Sequence, residues 1–207
     1  MRKHHRKFAL AACLALSSAW ASAEVISLTF EGATGLVNGY YGGGTDSNGH
    51  AGVNLGFSFV NGIAVVDNTG GNAYGPPLIN GPSSHTVLNQ VQNQVVINRS
   101  SGFTSGFSLY YVSSDSTLTT VNVYSGLNGT GTLLATFSLP AAPQCTTGAY
   151  YYCNWQTAGA AFSGTARSVT LSAVSPPREV HKIFYDNLTF GAAVPMPASG
   201  KPSALWR

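Results

Sequence analysis

The chain has 207 residues, a formal net charge of +3 and 24 glycines, and only 8% of its residues are charged. An ordinary globular chain carries about a quarter charged residues, so this surface has to be built from Ser, Thr, Asn, Gln, Gly and Tyr. Lys and Arg cluster nowhere beyond Lys7, which excludes a nucleic-acid partner, because phosphate backbones are held by such clusters.

Residues 1–23 carry a basic start (Arg2, Lys3, Arg6, Lys7), an apolar run from Phe8 to Leu16 and the small residues Ala21-Ser22-Ala23. That order is the layout of a secretory signal peptide, with a run too short to span a bilayer. Cleavage after Ala23 removes four of the ten basic residues and none of the seven acids. The exported chain is then near neutral. Leu10-Ala11-Ala12-Cys13 also reads as a lipobox that would lipidate Cys13, but the apolar stretch continues past that cysteine, as it does in an ordinary signal. The rest suits one domain over 24–191 with a flexible tail over 192–207, marked by Pro195, Pro197 and Pro202 and without a transmembrane anchor.

From residue 24 onward the dominant period is two, the signal of strands. In chain order the candidates are 25–30, 55–59, 63–66, 87–97, 106–111, 118–124, 133–139, 168–173 and 182–190. Polar and apolar residues alternate cleanly in Ser168-Val169-Thr170-Leu171-Ser172-Ala173. Over 87–97, Val87, Val91, Val95 and Ile97 share one parity, interrupted by Asn89 and Asn93, while Gln90, Gln92 and Gln94 take the other. Turn clusters separate the candidates, among them Asp46-Ser47-Asn48-Gly49, Gly75-Pro76-Pro77 and Asn128-Gly129-Thr130-Gly131. No stretch shows a helical period. The pattern predicts an all-β fold, an antiparallel β-sandwich of jelly-roll type with nine or ten short strands.

Two cysteines remain after cleavage, Cys145 and Cys153, flanking a Tyr-rich loop. In an oxidising compartment so close a pair is expected to form a disulfide, with two free thiols as the alternative. The nucleophile-elbow, zinc-helix, Cys-x-x-Cys and phosphate-loop motifs are absent, and His50, His85 and His181 stand singly. Hydrolysis of a glycoside needs two carboxyls across a cleft, and no pair is marked out. The sequence therefore points away from an enzyme.

Asp186 shares parity with Phe184, Leu188 and Phe190, a face that reads as buried. A carboxylate facing a core has to be hydrogen-bonded, paired or metal-bound. Glu31 ends the first strand, and first and last strands are common neighbours in jelly rolls. Together Glu31 and Asp186 could hold a structural Ca²⁺, or Asp186 could accept backbone N–H groups with Glu31 solvated. Read as an EF-hand, the loop from Asp46 fails, because Ala51 and Phe57 stand where Gly and Glu are required. A turn held by Asp46 and Asn48 fits better. Tyrosines cluster at Tyr40-Tyr41, Tyr110-Tyr111 and Tyr150-Tyr151-Tyr152, the last followed by Trp155. Aromatic faces stack on sugar rings, so Tyr150, Tyr151, Tyr152 and Trp155 are candidate saccharide contacts, although tyrosines in strands also serve as packing.

Several segments resemble a known family. They are Leu28-Thr29-Phe30-Glu31-Gly32, Asn38-Gly39-Tyr40-Tyr41-Gly42-Gly43-Gly44-Thr45-Asp46-Ser47, Gly52-Val53-Asn54-Leu55-Gly56-Phe57-Ser58-Phe59, Asn128-Gly129-Thr130-Gly131-Thr132-Leu133-Leu134-Ala135 and Phe184-Tyr185-Asp186-Asn187-Leu188-Thr189-Phe190. In this order they resemble the secreted β-sandwich domains of bacterial PEP-CTERM proteins, the exosortase-sorted surface proteins. Val194-Pro195-Met196-Pro197 echoes the family's Val-Pro-Glu-Pro with Met196 in place of the acid, and the ten residues beyond it cannot span a membrane. The resemblance implies architecture and location, a β-sandwich secreted to the matrix, cell surface or periplasm. Together with the absent catalytic motifs and the clustered aromatics, the sequence reads as a non-catalytic protein that contacts exopolysaccharide. A structural or adhesion protein binding protein partners or itself is the alternative, and an extracellular hydrolase the third. No residue pattern sets an oligomeric state.

Overall fold

The structure is a computed structural model that describes residues 24–69, 76, 78–113, 118–143, 145, 152–174 and 183–195. Residues 1–23, expected to be a signal peptide, and the residues from Met196 onward, expected to be a flexible tail, lie outside these residues. Twelve strands are present: β1 (Ile26–Leu28), β2 (Gly35–Leu36), β3 (Phe57–Val60), β4 (Gly62–Val66), β5 (Thr86–Gln90), β6 (Gln94–Phe103), β7 (Gly106–Ser113), β8 (Leu118–Tyr124), β9 (Leu133–Leu139), β10 (Gln156–Ala161), β11 (Ala166–Val174) and β12 (Ile183–Phe190). Among the described residues there is no helix, and so none long and apolar enough to cross a membrane.

The strands form two antiparallel sheets, the expected sandwich. One has seven strands in the order β10-β7-β12-β5-β4-β2, with β1 also on β12; the other has five, in the order β3-β6-β11-β8-β9. Alternation sets their faces. Phe57 and Phe59 of β3 and Val169, Leu171 and Ala173 of β11 enter the core, while Ser58, Thr170 and Ser172 belong to the opposite parity. At the centre the Phe190 ring meets Phe57 at 4.4 Å and Phe103 and Phe107 at 5.0 Å, joining the two sheets.

Two expectations need correcting. The segment 87–97 is not one strand: β5 belongs to the seven-stranded sheet and β6 to the five-stranded one, with residues 91–93 crossing between them. Val91 is 47% exposed at that crossover, while Val95 and Ile97 enter the core. The interrupting Asn93 was the available signal: its carbonyl accepts the Ala173 N–H instead of continuing β5. The second correction concerns β12, whose register on β7 shifts between Asp186 and Thr189, with Asn187 at φ 46°. A bulge changes which residues face inward. Ile183 and Tyr185 face the core before it, Leu188 and Phe190 after it, and Phe184 packs into a separate outer cluster with Leu78, Val87, Val112 and Tyr152. Asp186 therefore shares a face with Phe184 but not with Leu188 and Phe190.

Candidate functional site

The outer face of the seven-stranded sheet is built on Tyr110, which lies opposite Thr157 of β10 on one side and Asp186 of β12 on the other. Leu109 and Tyr111 enter the core, so alternation turns Tyr110 outward, where it stays half-buried. Residues 78–85 cross this face on their way to β5. Leu78 forms a parallel bridge to Tyr152, and the Ile79 N–H donates to the Tyr152 carbonyl at 3.1 Å. The Trp155 indole Nε1–H donates to the Ile79 carbonyl at 3.2 Å. Beside it, the expected disulfide joins Cys145 to Cys153.

These elements form a cleft of about 650 Å³ whose lining includes Asn80, Tyr110, Cys153, Trp155 and Gln156, together with Asn154 and Thr157. Pockets for small ligands run from about 300 to 1,000 Å³. Among the described residues its lining holds no charged side chain. The half-buried Trp155 packs partly against the outer cluster and is fixed by its indole bond, which makes it a rigid aromatic surface with hydroxyls and amides around it. Such a surface stacks on a flat, weakly polar ring at small entropic cost.

Of the expected saccharide contacts, Trp155 lines this cleft. Tyr150 and Tyr151 lie outside the described residues. Tyr152 does not present its ring: it is 8% exposed and meets Phe184 edge-on at 5.0 Å. Its place is packing, because the strand-like bridge to Leu78 turns the ring onto the sheet. Asn80, Asn154 and Gln156 carried no sequence signal. Tyr110 did: its parity opposes that of Phe107 and Leu109, the property that separates it from Tyr111.

The two acids meet on the chain that covers this face. Asp186 is 0% exposed. Its Oδ2 accepts the Ser83 N–H at 3.1 Å and the Ser83 hydroxyl, and its Oδ1 accepts the Asn187 N–H at 2.7 Å. Glu31 is not simply solvated, since its Oε1 accepts the His85 N–H at 2.9 Å and the Thr86 N–H at 3.1 Å. β12 pairs with β5 through Tyr185 and with β1 through Leu188–Phe190. The acids thus clamp residues 83–86 where β12 changes partner. Burial raises the Asp186 carboxyl to about 7; the Ser83 and Asn187 bonds oppose that rise and the Glu31 charge adds to it. In this arrangement both carboxylates hold peptide N–H donors, and among the described residues no group of three or more His, Cys, Asp or Glu could hold a metal.

Asp46 clamps a different turn. Its carboxylate accepts the N–H groups of Thr34 at 2.7 Å and of Asn48 and His50 at 2.9 Å, and its Oδ2 lies 2.8 Å from His50 Nδ1. Burial acts to raise this carboxyl, but those bonds outweigh it and hold the group well below the usual carboxylate range.

No protein-family model and no curated protein sequence matches the chain. Among solved structures, a cleaved adhesin domain of Lys-gingipain superposes with a TM-score of 0.51 at 10% identity, covering 81% of this chain and 99% of that one. The likeness is one of fold. Another cleaved adhesin domain of Lys-gingipain, from Porphyromonas gingivalis, gives a TM-score of 0.49 at 12% identity over 82% of this chain and 98% of that one. A family 6 carbohydrate-binding module gives 0.36 at 17% identity over 66% and 94%.

Proposed function

We propose that this chain is a secreted, non-catalytic protein that holds a neutral polysaccharide in the cleft beside Trp155. The observation that carries the reading is the pinned, half-buried indole set among Tyr110, Asn80, Asn154 and Gln156 with no charge in the lining. A neutral polymer matches such a lining; an anionic one would find no cation there. Among the described residues the clefts at Trp155, at Asn98 and at Asn93 are lined without a carboxylate, whereas glycoside hydrolysis needs two. A binding role is in keeping with the name of the adhesin domain that shares the fold.

Export is supported by the layout of residues 1–23 and by the disulfide, a bond that persists in oxidising compartments. On this reading the chain is a relative of the exosortase-sorted surface proteins whose Val194-Pro195-Met196-Pro197 lacks the acid of the sorting motif. Its working place is then the extracellular matrix or the cell surface.

The test is electrophoresis of the exported chain through gels containing dextran, mixed-linkage β-glucan, xylan or galactomannan, with alginate as the anionic control. At least one neutral polymer should retard the protein. Tyr110→Ala and Trp155→Ala should weaken that retardation about ten-fold, the equivalent of about 1.4 kcal/mol, with Trp155→Phe intermediate. Retardation by none of the neutral polymers, or equal retardation of the alanine variants, would sink the reading.

A further inference from the structure

We infer that the outer face of the five-stranded sheet carries a second neutral-saccharide site, so that a single domain grips two polymer segments on opposite sides and cross-links them. The inference rests on the reading of the Trp155 cleft as a polysaccharide site.

The floor of the second site follows from register. Phe57, Phe59, Val95 and Ile97 enter the core, so alternation turns Ser58, Asn98 and Ser100 outward. Pairing of β3 with β6 sets Ser58 directly opposite Asn98. The β8–β9 connection stands against this floor as a wall. The Asn128 N–H donates to Asn98 Oδ1 at 2.7 Å, and Asn98 Nδ2 donates to Asn128 Oδ1 at 2.8 Å. This reciprocal pair fixes both amides. Ser168 Oγ secures the same wall, accepting the Gly129 N–H at 3.0 Å and donating to the Gly126 carbonyl at 2.6 Å. Gly129 sits at φ +69°, a conformation that strains other residues, and an added Cβ would lie 3.0 Å from Thr170 Cγ2, so the loop packs closely on the sheet there. On the other side, the bridge between Gly42 and Asn54 holds the second wall.

Between the walls lies a cleft of about 460 Å³ lined by Asn54, Ser58, Asn98, Ser100, Leu127 and Asn128, with no charged side chain among its lining. Amides and hydroxyls on fixed backbone suit sugar hydroxyls, and Leu127, 39% exposed, offers an apolar surface to the C–H face of a ring.

The two clefts cannot serve one short segment. Tyr110 faces outward from one sheet and Ser58 and Asn98 from the other, with the whole core between them. Stacked sheets alone lie about 10 Å apart, and the outward side chains add to that. A chain bound at one cleft leaves the other open to a second chain, and two sites on a rigid body make a cross-linker without any need for dimerisation.

The experiment uses the neutral polymer that retards the wild-type protein and adds light scattering of dilute mixtures of the two. The wild type should raise scattering through cross-linking. Trp155→Ala and Ser100→Glu, each with one cleft left, should still be retarded, about ten-fold more weakly, but should no longer raise scattering. The pair of substitutions together should abolish retardation. Leu127→Ser, a change on an exposed loop side chain, should reproduce Ser100→Glu in a protein whose melting midpoint is unaltered. Wild-type retardation without added scattering overturns the second site alone, as does undiminished scattering by Ser100→Glu and Leu127→Ser. Absence of wild-type retardation by every neutral polymer overturns the Trp155 reading and this inference with it.

Discussion

Asp186→Ala is expected to lower the melting midpoint by about 10 °C. The substitution leaves the Ser83 N–H, the Ser83 hydroxyl and the Asn187 N–H without their acceptor in a site of 0% exposure. An orphaned buried donor costs about 1–3 kcal/mol, so three together cost at least about 3 kcal/mol, and in a chain of this size each kcal/mol moves the midpoint by about 2–4 °C. Asp186 also gives stability a direction in pH. Its carboxyl titrates at about 7 in the fold against 3.8 as the ordinary value, so the folded state prefers the neutral acid. Its contribution is complete below about pH 4, declines as pH rises, and is lost above about pH 7, a difference of about 4 kcal/mol at 1.36 kcal/mol per unit. Asp46 acts in the opposite sense, since its lowered carboxyl loses its contribution as pH falls through the acid range. Denaturant titrations of wild type and Asp186→Asn between pH 4 and 8 isolate the first effect, and the asparagine variant should show a flatter decline. Ca²⁺ or chelator should leave both curves in place. A wild-type midpoint that rises with Ca²⁺ at pH 8, and no longer does so in Asp186→Asn, would instead assign Glu31 and Asp186 to a cation.

Strand positions were legible in the sequence where one face is core and the other solvent. The alternation in β3 and β11 is of that kind, and so is the β8–β9 hairpin around Asn128-Gly129. Legibility failed where that condition fails. β10 reads Gln-Thr-Ala-Gly-Ala-Ala; it is an edge strand that buries little, so it carries little hydrophobic signal. β12 is buried on both faces along its whole length, so period two says nothing about which face is which, and the bulge at Asn187 then reverses the parity. A bulge is a local backbone event, marked in the sequence only by an Asn that tolerates positive φ. The candidate site divides in the same way. Trp155 and the disulfide could be named because aromatics and paired cysteines are rare and chemically loud. Asn80, Asn154 and Gln156 could not, because in a chain whose whole surface is amide and hydroxyl, those that line a cleft differ from the others only by where residues 78–85 happen to cross the sheet.

Phe190→Ala should be at least as damaging as loss of Asp186, for a different reason. The Phe190 ring is 1% exposed and touches Phe57 and Phe103 from the five-stranded sheet and Phe107 from its own. Removing it takes away transfer free energy and leaves a cavity at a ring shared by three aromatic pairs, and a buried Phe→Ala change costs about 3–5 kcal/mol. The surrounding rings sit on strands held in both sheets, so they cannot close in without shifting backbone, which places the expected cost at the upper end of that range. Phe190→Leu, which refills most of the volume, should recover more than half of the loss. Val60→Ala, on the exposed parity of β3 at 45% exposure, should stay within about 0.5 kcal/mol of wild type. Chemical denaturation of the three variants checks the ordering. If Phe190→Ala proved no more costly than Val60→Ala, the contact between the sheets would have to be carried elsewhere, and the aromatic cluster would be filling space rather than joining the two layers on which both clefts are built.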